Sequence, residues 1–326
     1  MATTGAHETD VMMSGSKGPA KGKWASFMEF LYNKKEGTVL GRTGKSWLQI
    51  TVFYIIFYGV LAAFFAVLLV LFLQTLDPNQ PKWQRDQGII GDTPGMGFRP
   101  TPKDSGSTLI WVKSSGPSAN TSQQYIDSLT DYLKPYSPGG ATEAGKGVTY
   151  VDCSSPTGNN KAGPNTVCAV RPESFGACNQ KNNFGYTTGQ PCVLLKLNRI
   201  FNWEPKTYST ADLPQELNDW YKRQGNNRPI TQQVPQGDQI FITCEGEDPV
   251  DKEHIGPIQL SPPTISKNYF PYLKQDGYLS PVVMVQFLNP DPGFIINVEC
   301  RAWAQNIRQS RIDRLGVVHF ELLVDR

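Results

Sequence analysis

Between Lys45 and Asp77 the chain has no charged residue, and from Ile50 to Leu73 it is almost entirely Ile, Val, Leu, Phe, Ala and Tyr. As a helix that core would be about 36 Å long, enough to cross a hydrocarbon layer of about 30 Å with some tilt. The alternative is a buried core helix, but 24 apolar residues with no polar face is too long for one. A cleavable leader has an apolar run of only about 7–15 residues and a small-residue cleavage site behind it, and neither applies here. Residues 47–76 are therefore expected to remain as a signal anchor. Lys34, Lys35, Arg42 and Lys45 precede it, while only Lys82 and Arg85 follow closely. That bias predicts a type II protein, with residues 1–46 cytoplasmic and residues 77–326 outside.

Past the anchor the pattern changes period. Turn-rich residues 77–105 read as a stalk. Residues 106–326 read as one mainly-β extracellular domain, with strands expected over 108–112, 192–195, 239–244, 282–287, 294–303 and 316–324. Tyr125, Leu129 and Leu133 recur every fourth residue behind Thr121 and Ser122, and Leu217, Trp220 and Tyr221 follow Pro214, so two helices are expected. Long loops, 134–191 and 245–280, separate the strands of what should be an antiparallel sandwich. Before the anchor, a Gly-, Ser- and Lys-rich start has the composition of a disordered tail. It leads into an amphipathic patch from Trp24 to Tyr32 that suits either the inner membrane surface or a protein partner.

Charge and cysteine usage fit this layout. Lys and Arg total 31 against 29 Asp and Glu, a net charge of +2 that gives no basic excess for nucleic acid. The mean hydropathy of −0.37 hides the anchor by averaging. All six cysteines, Cys153, Cys168, Cys178, Cys192, Cys244 and Cys300, lie beyond it and read as a disulfide framework. Metal is disfavoured by the lack of any C-x-x-C or nearby Cys/His pair. The cysteines alone leave the pairing open. Nearest-neighbour pairing is one choice, and it would let Cys244 and Cys300, each in a strand-like segment, staple two sheets. Asn120-Thr121-Ser122 is the one N-x-[ST] glycosylation sequon.

The search for catalytic chemistry returns decoys. Gly41-Arg42-Thr43-Gly44-Lys45-Ser46 imitates the end of a phosphate loop, but Val39 stands where the first glycine belongs. Glu245-Gly246-Glu247-Asp248 offers cation ligands, yet a solvated acidic turn is the simpler reading. His7, His254 and His319 are scattered, and no triad follows from their order. Type II anchoring also suits Golgi glycosyltransferases, but the Asp-x-Asp pair of their metal-dependent members is missing. No catalytic residue, metal or cofactor is assigned.

Blocks spread over most of the chain resemble the β subunit of the P-type sodium/potassium pump. Leu40-Gly41-Arg42-Thr43-Gly44 with Ser46-Trp47, and Phe53-Tyr54-Ile55-Ile56-Phe57-Tyr58-Gly59, match its anchor. Asn183-Phe184-Gly185-Tyr186, Gly189-Gln190-Pro191-Cys192, Lys196-Leu197-Asn198 and Ile200 form a middle block. Tyr269-Phe270-Pro271-Tyr272, Tyr278-Leu279-Ser280-Pro281, Val285-Gln286-Phe287, Glu299-Cys300-Arg301-Ala302 and Asn306-Ile307 close the match. The resemblance implies sequential disulfides, an immunoglobulin-like outer sandwich and no catalysis.

It also implies a one-to-one partnership with a catalytic α subunit. The β chain is needed for that subunit's folding, plasma-membrane delivery and stability, and it tunes potassium handling. By position, Tyr54, Phe57 and Tyr58 would pack on α, with Gly59 and Ala63 allowing close approach, while Tyr269, Tyr272 and Tyr278 would cover an outer loop. A small single-span regulatory subunit and membrane lipid are the further partners it allows. The alternatives are the β subunit of a proton/potassium pump, against which the single sequon argues, and a cell-adhesion glycoprotein.

Overall fold

The computed structural model describes residues 22–325 apart from 103–105, 114–119, 137–148, 156–157, 159, 210–211, 225–229, 231–232 and 235–236. The chain divides into two units, Met1–Leu76 and Asp77–Arg326. The expected disordered start and His7 lie outside the described residues.

The first unit begins with α1 (Lys23–Leu31). Three two-residue strands follow, β1 (Tyr32–Asn33), β2 (Thr38–Val39) and β3 (Arg42–Thr43), paired in that order, and then α2 (Gly44–Gln74). Leu40 (φ 50°) and Gly41 (φ 74°) form the turn between β2 and β3, facing Val39 to Arg42 across it. Two positive φ values are what a two-residue hairpin of matching twist requires. The residues that imitated a phosphate loop are thus a hairpin turn and a helix start. Helix α2 has no proline and one interior glycine, and it buries none of its residues. Among the described residues it is the one helix long and apolar enough to cross a membrane. The Thr75 hydroxyl donates to the Phe72 carbonyl at 2.7 Å where the helix ends, just before Pro78.

The second unit is built on two sheets. Its elements in chain order are β4 (Met96–Arg99), β5 (Leu109–Lys113), α3 (Asn120–Leu133), β6 (Thr149–Asp152), β7 (Thr166–Ala169), β8 (Cys192–Leu197), α4 (Gln215–Gln224), β9 (Gln239–Gly246) and α5 (Pro249–His254). After these come β10 (Ile258–Ser261), β11 (Thr264–Ser266), β12 (Val282–Phe287), β13 (Ile295–Trp303) and β14 (Val317–Asp325). One sheet has the order β10-β12-β8-β4 and the other β11-β9-β13-β14-β5. Phe320 of β14 packs on Phe98 of β4 at 5.1 Å and Phe287 of β12 at 6.2 Å, so the sheets share one core. Every residue of β12 is buried, which explains an apolar run without alternation.

Several expectations need correction. The antiparallel pattern has two exceptions: β14 pairs with β5 in parallel, and β6 with β7. More than 200 residues separate β5 from β14, so no hairpin dictates their direction. The supposed stalk contributes β4, an edge strand of the first sheet. The loop 245–280 contains α5, β10 and β11, elements too short for periodicity to reveal.

The structure joins Cys153 to Cys168, Cys178 to Cys192, and Cys244 to Cys300. The third does not staple one sheet to the other. Cys244 of β9 faces Cys300 of the adjacent β13, with Cα atoms 4.1 Å apart, the spacing of directly opposed residues on neighbouring strands. Two glycines fix the local packing. A Cβ on Gly185 (φ +74°) would lie 1.9 Å from the Gln190 carbonyl oxygen, and one on Gly246 would lie 2.4 Å from the backbone of α5.

Candidate partner-binding surfaces

On α2, four aromatic side chains form one surface patch. Phe53 stacks on Phe57 at 6.0 Å and Tyr54 on Tyr58 at 5.8 Å, each pair one helical turn apart. Edge contacts of 5.4 Å join Phe53 to Tyr54 and Phe57 to Tyr58. All four rings are between 47% and 60% exposed. Phe53 was not among the expected contact residues, although its spacing to Phe57 was the available signal. Gly59 is not part of this patch. One residue beyond Tyr58, it lies about 100° further round the helix, in line with Ala63. A Cβ on Gly59 would meet nothing within 4 Å.

The tyrosines of the block from Tyr269 to Pro281 divide differently. Tyr269 and Tyr278 are 8% and 6% exposed, so they hold the loop's shape and do not present a surface. The Tyr269 hydroxyl donates to the Ala169 carbonyl and the Tyr278 hydroxyl to the Tyr269 carbonyl, both at 3.4 Å. Burial pushes Tyr269 up to about 12, helped by the nearby Asp152 carboxylate, and burial raises Tyr278 as well. Tyr272 is half-buried, its ring 4.9 Å from that of Tyr278.

Arg199 organises this corner, and no sequence pattern pointed to it. Its guanidinium lies 5.4 Å from the Tyr272 ring and 5.2 Å from the Tyr278 ring. Its Nε donates to Ser280 Oγ at 2.9 Å and its Nη2 to the Tyr278 carbonyl at 3.3 Å. Together Tyr132, Tyr136, Tyr150, Arg199, Tyr272 and Lys274 line a cleft of about 670 Å³. Lys274 donates to the Pro78 carbonyl, so the cleft sits at the end of the unit where its chain enters. Arg199 also borders a separate hollow of about 500 Å³ where Trp83, Ile89 and Ile90 are exposed.

The acidic stretch that ends β9 and leads into α5 is tied into ion pairs. Glu245 meets Arg223 at 3.3 Å and Lys252 at 3.4 Å, and Glu247 meets Arg311 at 3.2 Å and His319 at 2.9 Å. Asp248 and Asp251 form a reciprocal capping box on α5. The buried Glu299 carboxylate is held by Arg301 and Arg311, and that bond raises the Arg311 pKa further. His254 ends α5, where it bonds Asp291 at 2.9 Å and stacks on Phe294 at 3.9 Å. These groups are mutually satisfied, and among the described residues no cluster of His, Cys, Asp and Glu is arranged for a metal. Asn120 opens α3, and its side chain lies outside the described residues.

Comparison with known proteins covers nearly the whole chain. The family described as "Sodium / potassium ATPase beta chain" matches residues 17–320. The sodium/potassium-transporting ATPase subunit beta-2 of Drosophila melanogaster is 39% identical over 318 residues, 95% of each chain. The beta-1 subunit of the same organism is 38% identical, covering 95% of this chain and 98% of its own length. The human beta-2 subunit is 29% identical over 91% of this chain and 93% of its own. The chain belongs to the sodium/potassium ATPase beta chain family.

Proposed function

We propose that this chain is the non-catalytic β subunit of a sodium/potassium-transporting P-type ATPase. It binds a catalytic α subunit one-to-one, supports that subunit's folding, membrane delivery and stability, and tunes its potassium handling. The observation that carries the partnership is the aromatic patch of Phe53, Tyr54, Phe57 and Tyr58, unpartnered on a membrane-type helix of this family. In lipid there is no hydrophobic force between helices, so association depends on close packing, which a stacked aromatic face offers. Gly59 and Ala63 offer a second, flatter face. Outside the membrane, Tyr272 and Arg199 at the rim of the cleft are the contact residues, with Tyr269 and Tyr278 as their supports.

The same reading makes α2 a type II anchor, with residues 77–326 extracellular and folded as an immunoglobulin-like sandwich. Lysine asymmetry around the helix, three disulfides and the Asn120 sequon support that orientation. Protease protection of intact cells, with a glycosidase-sensitive shift lost in Asn120→Gln, tests it. Extraction in mild detergent followed by mass spectrometry tests the partnership. An α-type ATPase at equal stoichiometry is expected, and a chain that purifies alone in every mild detergent overturns the proposal.

A further inference from the structure

Helix α1 carries an apolar stripe that is exposed at Trp24, Phe27 and Met28 and half-buried at Leu31. Trp24, Phe27, Met28 and Leu31 recur at i, i+3, i+4 and i+7, one face of a helix. Trp24 is 74% exposed, Phe27 49% and Met28 52%, and the Trp24 and Phe27 rings lie 5.9 Å apart. Phe30 points elsewhere, onto the hairpin, where its ring would meet a Cβ on Gly41 at 3.4 Å. Glu29 lies about 150° from the centre of the stripe.

The stripe is not on a free tail. The Leu40 amide donates to the Leu31 carbonyl at 3.1 Å, closing the hairpin on the end of α1. The Trp47 indole, in the first turn of α2, donates to the Val39 carbonyl at 2.9 Å. The apolar face of α1 is therefore held within one short hairpin of the apolar helix. Charge points the same way: residues 1–46 carry Lys17, Lys21, Lys23, Lys34, Lys35, Arg42 and Lys45 against Glu8, Asp10, Glu29 and Glu36.

We infer that α1 lies in the plane of an anionic lipid surface, with Trp24, Phe27, Met28 and Leu31 at the headgroup–acyl boundary. Lys23, Lys34 and Lys35 sit among the headgroups. A short amphipathic helix with an aromatic apolar face and flanking cations is the composition that binds there. Lipid already surrounds α2 if it spans a bilayer, so the stripe needs no further partner to reach it. The inference rests on that reading of α2.

All six cysteines are in disulfides, so one added thiol can be labelled alone. The full chain, spin-labelled at Met28→Cys, would be placed in nanodiscs of phosphatidylcholine with or without phosphatidylserine. Collision with oxygen and with a water-soluble nickel chelate then reads its surroundings. In phosphatidylserine discs the Met28 and Phe27→Cys labels should read lipid, and a Glu29→Cys label water. Replacing Lys23, Lys34 and Lys35 by Gln should weaken docking on the order of a hundredfold and move the Met28 label into water. A Met28 label in water in both discs overturns the inference, as does one shielded from both reagents, which would mean protein burial. Indifference to the lysines and to phosphatidylserine also overturns it. A label at Leu61→Cys separates the two readings: if it reads lipid while Met28 reads water, the span stands and the surface helix falls.

Discussion

Helix α2 and strand β12 are made of the same kinds of residue and end in opposite situations. The helix exposes Ile, Leu, Val and Phe along its length, whereas Val282, Val283, Val285 and Phe287 of β12 are buried on both faces. A strand gets its backbone partners and its cover from neighbours in the same chain. A lone helix satisfies its own backbone and leaves its surface to whatever surrounds it. The contrast separates apolar residues that make this fold from those that await a lipid or a partner.

Four experiments probe that contrast. The largest effect is expected inside the second unit: Phe320→Ala removes the ring that joins the two sheets and should cost about 4 kcal/mol in denaturant unfolding. Phe65→Ala on α2 should leave the same transition unmoved, and a comparable loss there would break the comparison. Second, removing the Cys178–Cys192 bridge, with 14 residues of separation, should cost about 3 kcal/mol in the chain-entropy description.

Third, alkaline stability should fall as the buried tyrosines ionise, and Tyr269 alone should contribute about 2 kcal/mol of that fall, because it is held protonated up to about 12 while an unfolded tyrosine ionises near 10. A group raised in the folded state gives stability that is complete below pH 10 and lost as pH climbs toward 12. Tyr269→Phe should reduce the fall between about pH 10 and 12 by that amount in unfolding measured against pH, and an unchanged profile would remove Tyr269 from it. The smallest effect is expected on the helix. Tyr54→Ala with Tyr58→Ala should weaken co-purification with the α subunit by about 1 kcal/mol, without moving the unfolding curve.

What the sequence disclosed follows the same division. Helix α2, α3, α4 and the long strands were legible because their apolar runs or periods belong to single elements. The role of Cys244–Cys300 was misread because strand adjacency is not a local property: both segments looked like core strands, and only the sheet order makes them neighbours. Tyr269 and Tyr278 were named as contacts by position in the resemblance alone, and no local pattern discloses their burial, which depends on β7 and on Arg199. The Glu299–Arg311 pair was hidden for the same reason, as each half looked like an ordinary surface charge.

The parallel pairing of β5 with β14 has a consequence for how the molecule comes into being. Trp111 of β5 donates its indole N–H to Asp325 of β14 at 2.8 Å, across 214 residues of sequence. At about 5–20 residues per second, the ribosome takes about 10–40 s to deliver the strand that β5 needs. β14 also separates β13 from β5 in the finished sheet, so both wait with an open edge until it arrives. Completion of the larger sheet is therefore a late event in synthesis, and a nascent chain halted before Val317 carries two unpaired strand edges for chaperones to recognise.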